Sequence, residues 1–153
     1  ILSPTFMTVA MGKMSKSAHE AIDLGFGKAG DTILFNAREL LFVALKEARL
    51  LADAGYVPPV PARGVPVAGR AGIASMEMTL VNMREGGMIS AHDYRVSRAV
   101  AVALCGGEVA YGSLVDEAWL LAVERRQFLE LLKTPETQAR IKHMLDTGKP
   151  LRN

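Results

Sequence analysis

Three histidines, one cysteine and one glycine-rich run are the residues here whose chemistry could go beyond packing. His19, His92 and His143 stand far apart in the chain. No H-x-x-x-H or Cys/His spacing brings two ligands to one helix face, so no metal site is expected. His19 and His92 each fall in the first turn of an expected helix, where a partly exposed imidazole is common. Cys105 lies between Leu104 and Gly106 at a helix end, with no basic neighbour to stabilise a thiolate, which favours a buried inert thiol over a nucleophile. Gly-x-Ser-x-Gly is absent. Gly25-Phe26-Gly27-Lys28-Ala29-Gly30 has the spacing G-x-G-x-x-G. A dinucleotide site needs a strand before those glycines and a helix directly after, so that free N–H groups meet the pyrophosphate. Here a helix precedes them and the extended run Thr32–Phe35 follows, so the segment reads as a helix C-terminus and a loop. No catalytic residue emerges.

Other side chains point to surfaces. Arg140, Lys142, Lys149 and Arg152 outnumber Asp146 near the end of the chain. Cations at the negative end of a helix dipole explain them more simply than a phosphate contact does. The eight methionines fall mainly on expected helix faces. Core packing is the first reading, and a surface that adapts to partners is the second. Trp119 and Phe128 are nine residues apart on one helix, hence on faces about 180° apart. Both cannot enter one small core, which leaves one free to face another subunit or domain.

The elements that must position these residues follow from composition and caps. The chain has 153 residues, half of them hydrophobic and 22% charged, with a net charge of +2. That is one domain's worth of folding polypeptide, not a disordered tail or a fibre. No clustered basic surplus marks a nucleic-acid partner. The longest apolar stretch, Ala99 to Cys105, is too short for a membrane span. A lone cysteine allows no internal disulfide, so a cytoplasmic location is the default. No signal peptide opens the chain, and a start at Ile1 without methionine reads as a piece of a longer protein.

Helix starts are expected at Ser3-Pro4, at Ser17 with Glu20 as a capping box, and at Asn36 with Glu39. Met7, Met11 and Met14 share a face of the first. The second stops at Gly25. Thr32–Phe35 is at most a short strand. In the third, Leu40, Leu41, Ala44, Leu45, Ala48, Leu51 and Ala52 form one stripe that Gly55 ends. Residues 57–66, VPPVPARGVP, hold four of the seven prolines and cannot be helical. Helical pattern resumes at Ser75 and breaks at Gly86-Gly87. Ser90 with Asp93 opens a helix to Cys105, Ser113 with Asp116 opens one to about Lys133, and Thr134-Pro135-Glu136 opens the last, ending near Gly148. The expectation is an all-α chain of six or seven helices without a convincing sheet. It divides into a helical segment 1–56, a Pro/Gly-rich linker 57–74 and a helical segment 75–153, forming one compact unit.

Two stretches resemble the enoyl-CoA hydratase/isomerase (crotonase) family. One is Gly12-Lys13-Met14-Ser15-Lys16-Ser17-Ala18-His19-Glu20-Ala21-Ile22-Asp23-Leu24-Gly25. The other is Glu124-x-x-x-Phe128, then Thr134-x-Glu136-Thr137-x-x-x-Ile141-x-x-x-Leu145-x-x-x-Lys149-Pro150. Within that family the likeness is to the C-terminal portion of large bacterial proteins joining 3-hydroxyacyl-CoA dehydrogenase and enoyl-CoA hydratase. The resemblance implies the helical C-terminal part of a crotonase-like fold, from an enoyl-CoA hydratase (a lyase) of fatty-acid β-oxidation. The family's oxyanion loops and catalytic carboxylates match nothing here, so the chain alone is expected to be inactive and to need no cofactor. The implied role is to cover the acyl-CoA site and support assembly. The implied partners are the N-terminal catalytic part, further copies in a homo-oligomer and the CoA thioester substrate of the parent. Lys149, before Pro150, matches the family's basic CoA contact, although Thr147-Gly148 stands where many members carry more cations. The competing reading is an independent all-α interaction module. A small enzyme using His or Cys is a third.

Overall fold

The computed structural model describes Leu2 to Asn153. Seven α-helices follow in order: α1 Leu2–Ala10, α2 Ala18–Asp23, α3 Leu40–Asp53, α4 Gly69–Glu85, α5 Ala91–Leu104, α6 Glu117–Leu132 and α7 Pro135–Thr147. A 3-10 turn, Ala37–Glu39, leads into α3. β1, Val65–Pro66, pairs antiparallel with β2, Leu114–Val115, with Val65 opposite Val115 and Pro66 opposite Leu114. Among the described residues this two-residue ribbon is the only sheet, so the chain is all-α as expected. None of the described helices is long and apolar enough to cross a membrane. The chain forms two compact units, one from the residues up to Lys13 together with Pro61–Asn153, the other from Met14–Val60.

In the Met14–Val60 unit Ser17 caps α2 and Asn36 caps the 3-10 turn before α3, but neither of the expected capping boxes closes. Ser17 Oγ accepts from the Glu20 N–H at 3.1 Å. The Glu20 carboxylate reaches back 2.7 Å to the Lys16 N–H, one residue earlier than a regular box. Asn36 accepts from the Arg38 N–H at 3.1 Å and donates to the Glu39 carboxylate at 3.2 Å. Thr32–Phe35 forms no strand. The stripe on α3 is the surprise. Its periodicity predicts burial, yet Leu41 is 72% and Leu45 62% exposed, and α3 has no buried residue. Periodicity marks a face able to be covered; it does not supply the cover.

In the larger unit α5 is the hub, with α1, α4 and α6 all packed against it. The core joins Phe6 of α1, Ile73, Met76 and Leu80 of α4, Ala101 and Val102 of α5, Cys105, and Val123 of α6. Ser90 and Asp93 close a complete capping box at the start of α5. Thr134 caps α7, Pro135 fills its first position, and Gly148 ends it at φ 68°.

Three helix starts differ from the sequence reading. α1 already includes Leu2 and Ser3. α6 is capped by Asp116, whose carboxylate accepts from the Trp119 N–H at 2.8 Å, rather than by Ser113. α4 begins at Gly69, six residues before Ser75, and Ala68 offers no capping side chain. Two of the free N–H groups of that first turn are satisfied by carbonyls just past the end of α5. The Gly69 N–H donates to the Cys105 carbonyl at 2.9 Å, and the Arg70 N–H to the Val109 carbonyl at 2.9 Å. The Arg70 guanidinium adds a bond to the Glu108 carbonyl at 3.0 Å.

This backbone approach tolerates no side chain at Gly69, which sits at φ +52° with the Val109 and Ala110 carbonyls where a Cβ would stand. Gly69→Ala should therefore lose about 2–4 kcal/mol in chemical denaturation, combining left-handed strain with a steric clash. Gly87, at φ +68° in open space, carries the strain without the clash. Gly87→Ala should lose only about 1 kcal/mol, and equal losses at both positions would contradict the packing described.

Candidate functional site

Two places in the larger unit bring functional groups together. The first joins the N-terminal turns of α5 and α7. His92 is 6% exposed, and its Nε2 lies 3.0 Å from Thr137 Oγ1. Thr134, also buried, donates to the Leu131 carbonyl at 2.7 Å and accepts from the Thr137 N–H at 3.3 Å. Next to them the Arg140 guanidinium donates to Asp93 at 2.8 Å and to the Asn153 side chain at 2.7 Å. Asn153 in turn donates to the Glu136 carbonyl at 3.2 Å. Burial, with the Arg140 charge adding to it, holds the His92 pKa below the ordinary histidine value, so the ring is neutral at pH 7. Burial alone would raise the Asp93 pKa, but hydrogen bonds from Ser90 and Arg140 outweigh it and hold the carboxyl below its usual range. A neutral ring, nearly closed off and spent on a threonine, ties two helices together and leaves no face for a substrate.

A related polar seam joins α4 to α5. Glu77 accepts from Arg98 at 2.8 Å and from the Tyr94 hydroxyl at 2.9 Å, and those bonds depress its pKa. The Arg84 guanidinium covers the Tyr94 ring 4.8 Å from its centre.

The second place is an apolar groove of about 620 Å³ where α1, α5 and α6 meet. Ala99 and Ala103 of α5 lie along it, Val9, Leu121 and Phe128 edge it, and Glu117 and Glu124 of α6 stand in it. Trp119 and Phe128 part company as their spacing requires. The Trp119 indole N–H donates to the Gly106 carbonyl at 2.9 Å, while Phe128 stays 58% exposed in the groove.

The remaining residues singled out in the sequence do not converge. His19 is exposed on α2 and His143 half-buried on α7. Among the described residues no group of three His, Cys, Asp or Glu side chains could hold a metal ion. Cys105 is wholly buried with its Sγ 3.9 Å from the Met76 sulfur, and burial pushes its pKa up, which makes it a poor nucleophile. Gly25–Gly30 follows α2 with no strand before it and no helix directly after, so it forms no dinucleotide cradle. Lys149 is exposed just past the end of α7, its N–H bonded to Thr147 Oγ1 at 3.2 Å. Five of the eight methionines, Met11, Met14, Met78, Met88 and Met144, are exposed, so core packing accounts for the minority. The polar cluster escaped the sequence reading because its bonds span 45 and 47 residues, and no local spacing reports them.

The His92 environment sets a pH dependence. The unfolded histidine, near 6.5, takes up a proton that the folded ring refuses. Stability should be fully present above about pH 6.5 and fall as pH drops towards the lower folded value. Thermal melts between pH 7.5 and 5 should show this decline in the wild type. His92→Gln should start lower at pH 7.5 and flatten the decline, and a wild-type melting temperature independent of pH over that range would contradict the assignment.

Comparison with known proteins corrects the family expectation. No family model matches the chain, and no solved structure matches it. Over 149 residues it is 42% identical to a protein of Bacillus subtilis (strain 168) described as a probable 3-hydroxyacyl-CoA dehydrogenase. The match takes in 97% of this chain and 19% of that protein, so the chain spans about a fifth of its relative's length. The relative's description names a dehydrogenase, which overturns the enoyl-CoA hydratase (crotonase) assignment and the lyase activity drawn from it. The residues that carried the resemblance do general helical work. Ser17 and Glu20 cap α2, Gly25 follows it at φ 85°, and Thr134 caps α7. Cap and stop residues at these spacings serve many helical proteins and identify none.

Proposed function

We propose that the chain is a non-catalytic helical region of a cytoplasmic 3-hydroxyacyl-CoA dehydrogenase-type protein of fatty-acid β-oxidation. The observation that carries this reading is the 42% identity running along 97% of the chain to the relative of that description. Oxidising a 3-hydroxyl group removes a hydride from C3 and a proton from oxygen, which calls for a base within hydrogen-bond reach of the substrate and a hydride acceptor. The buried imidazole here, His92, is held by Thr137, and Gly25–Gly30 lacks the strand and helix of a dinucleotide site. The chemistry therefore belongs to the four-fifths of the relative's length that this chain does not span.

What the chain supplies is packing surface. The uncovered stripe on α3 and the open groove beside α6 each call for a cover, and apolar patches of this kind mark interaction sites. The partners in this reading are the rest of such a polypeptide, further copies of it, and the acyl-CoA bound there. Lys149, an exposed cation past the end of α7, remains the candidate for a contact with a CoA phosphate.

The test compares the purified 153-residue chain with the product of the complete reading frame, both supplied with a 3-hydroxyacyl-CoA and NAD. The complete product should form NADH and the chain alone should not. A complete product inactive on every 3-hydroxyacyl-CoA would overturn the reading. So would turnover by the isolated chain that a substitution within it abolishes.

A further inference from the structure

Thr134, Thr137 and His92 stand in a line of short contacts, and the hydrogens available along it fix the direction of each bond. Thr134 Oγ1 lies 2.7 Å from the Leu131 carbonyl and 2.9 Å from Thr137 Oγ1, and Thr137 Oγ1 lies 3.0 Å from His92 Nε2. A carbonyl only accepts, so the Thr134 hydroxyl proton is spent on Leu131. The proton between the two threonines must then come from Thr137. With that proton used, Thr137 can only accept from the ring. The chain therefore runs one way, from His92 Nε2–H through Thr137 and Thr134 to the Leu131 carbonyl, and the neutral ring carries its proton on Nε2. Nδ1 is left as the atom that takes up a proton. It has no partner among the described residues, whereas every fully buried side-chain nitrogen or oxygen there has one. Nδ1 therefore touches solvent although the residue as a whole is 6% exposed, and a proton can reach it without the fold opening.

What hangs on this ring is α7. No residue of α7 is buried, and none belongs to the apolar core or packs against it. Two polar ties join it to α5: His92 to Thr137, and Asp93 to Arg140 at 2.8 Å. Towards α6 it is held at the turn between them, where Gln138 donates to the Leu132 carbonyl at 3.1 Å. The Asn153 bonds to Arg140 and Glu136 tie the tail to α7 itself. The charged groups facing the ring are Asp93 and Arg95 on α5 and Glu136 and Arg140 on α7. A charge on the ring would lie poorly solvated beside Arg140 and would compete with that guanidinium for Asp93. Both ties between α5 and α7 thus respond to one proton. We propose that His92 is a proton-operated latch: uptake of a proton at Nδ1 frees α7 from α5, pivoting at the α6–α7 turn, while α1, α4, α5 and α6 stay folded. A latch requires more than the loss of stability in acid described above, because α7 must open by itself. The proposal goes beyond the dehydrogenase-region reading and does not depend on it.

The test uses the full chain. Nitrogen-15 NMR of the imidazole at pH 7.5 should show a hydrogen on Nε2 and none on Nδ1, and the opposite tautomer would overturn the proposal. Native-state hydrogen exchange in low denaturant then separates local from global opening. The amides of Ile141 to Met144 should open with little denaturant dependence and more readily than those of Leu80 and Val102. Their opening constant should rise roughly threefold or more between pH 7.5 and 5. His92→Gln keeps an N–H donor near the Nε2 position and cannot take up a proton, so it should remove that rise. Thr137→Val should increase α7 opening at pH 7.5, and Thr137→Ser, which keeps the hydroxyl, should stay close to the wild type. Opening of α7 only together with the core would overturn the latch, as would an opening constant that does not change with pH or a rise that persists in His92→Gln. Equal protection of α7 in the Val and Ser variants would remove the threonine link and with it the proposal. None of these outcomes bears on the NADH assay, so the two readings fail separately.

Discussion

The larger unit depends on the close approach of the first turn of α4 to the last turn of α5. Two backbone N–H groups of α4 donate to carbonyls at and beyond the end of α5, at 2.9 Å each. Such contacts require the chains to meet without intervening side chains, and glycine provides that on both sides. A Cβ on Gly72 would lie 2.8 Å from Cys105 Sγ, and one on Gly106 would lie 2.5 Å from the Val67 side chain. Once these turns are joined, the direction of α4 is set, and Ile73, Met76 and Leu80 fall onto α5 along one stripe. The Gly106 carbonyl then receives the Trp119 indole N–H, which attaches α6 to the same corner. The ribbon of β1 with β2 closes beside it, where the Val67 N–H donates to the Ser113 carbonyl at 3.0 Å.

α7 is attached by different means. It has no buried residue, and it is held largely by polar contacts from His92 and Asp93 at the opposite end of α5. The Asp93–Arg140 pair is the best placed of the ion pairs because both partners are largely shielded and further bonds hold each in position. The Arg49–Asp53 and Lys142–Asp146 pairs lie along single exposed helices and contribute at most a few tenths of a kcal/mol each. α5 thus serves as a beam with an apolar joint at one end and a polar joint at the other. Its central face supports the groove in which Glu117 and Glu124 stand.

Features governed by neighbours in sequence were legible. Ser90 with Asp93, Thr134 with Pro135, and the stops at Gly25 and Gly148 could be read because a helix end is capped mostly by its own flanking residues. Features governed by distant residues were not. α4 opens without a capping side chain because carbonyls more than 35 residues away do that work, so its start was read six residues late, at Ser75. The α3 stripe has the period of a buried helix and lies uncovered, since a pattern says which face can be buried and not against what. Thr134 reads as a cap, and that Thr137 beside it meets His92 shows only in the fold. The family expectation failed for a related reason: several of its carrying residues were helix boundaries, legible but shared by many helical proteins, whereas the relative was found through identity along nearly the whole chain.

Amide hydrogen exchange tests the α4–α5 joint most directly. The first N–H groups of a helix normally lack partners and exchange quickly. If the joint holds the unit together, the Gly69 and Arg70 amides should exchange as slowly as those of Leu80 and Val102 in the core, opening only with global unfolding. Exchange at Gly69 and Arg70 as fast as at a frayed helix end, with the α4 and α5 interiors still protected, would contradict the account.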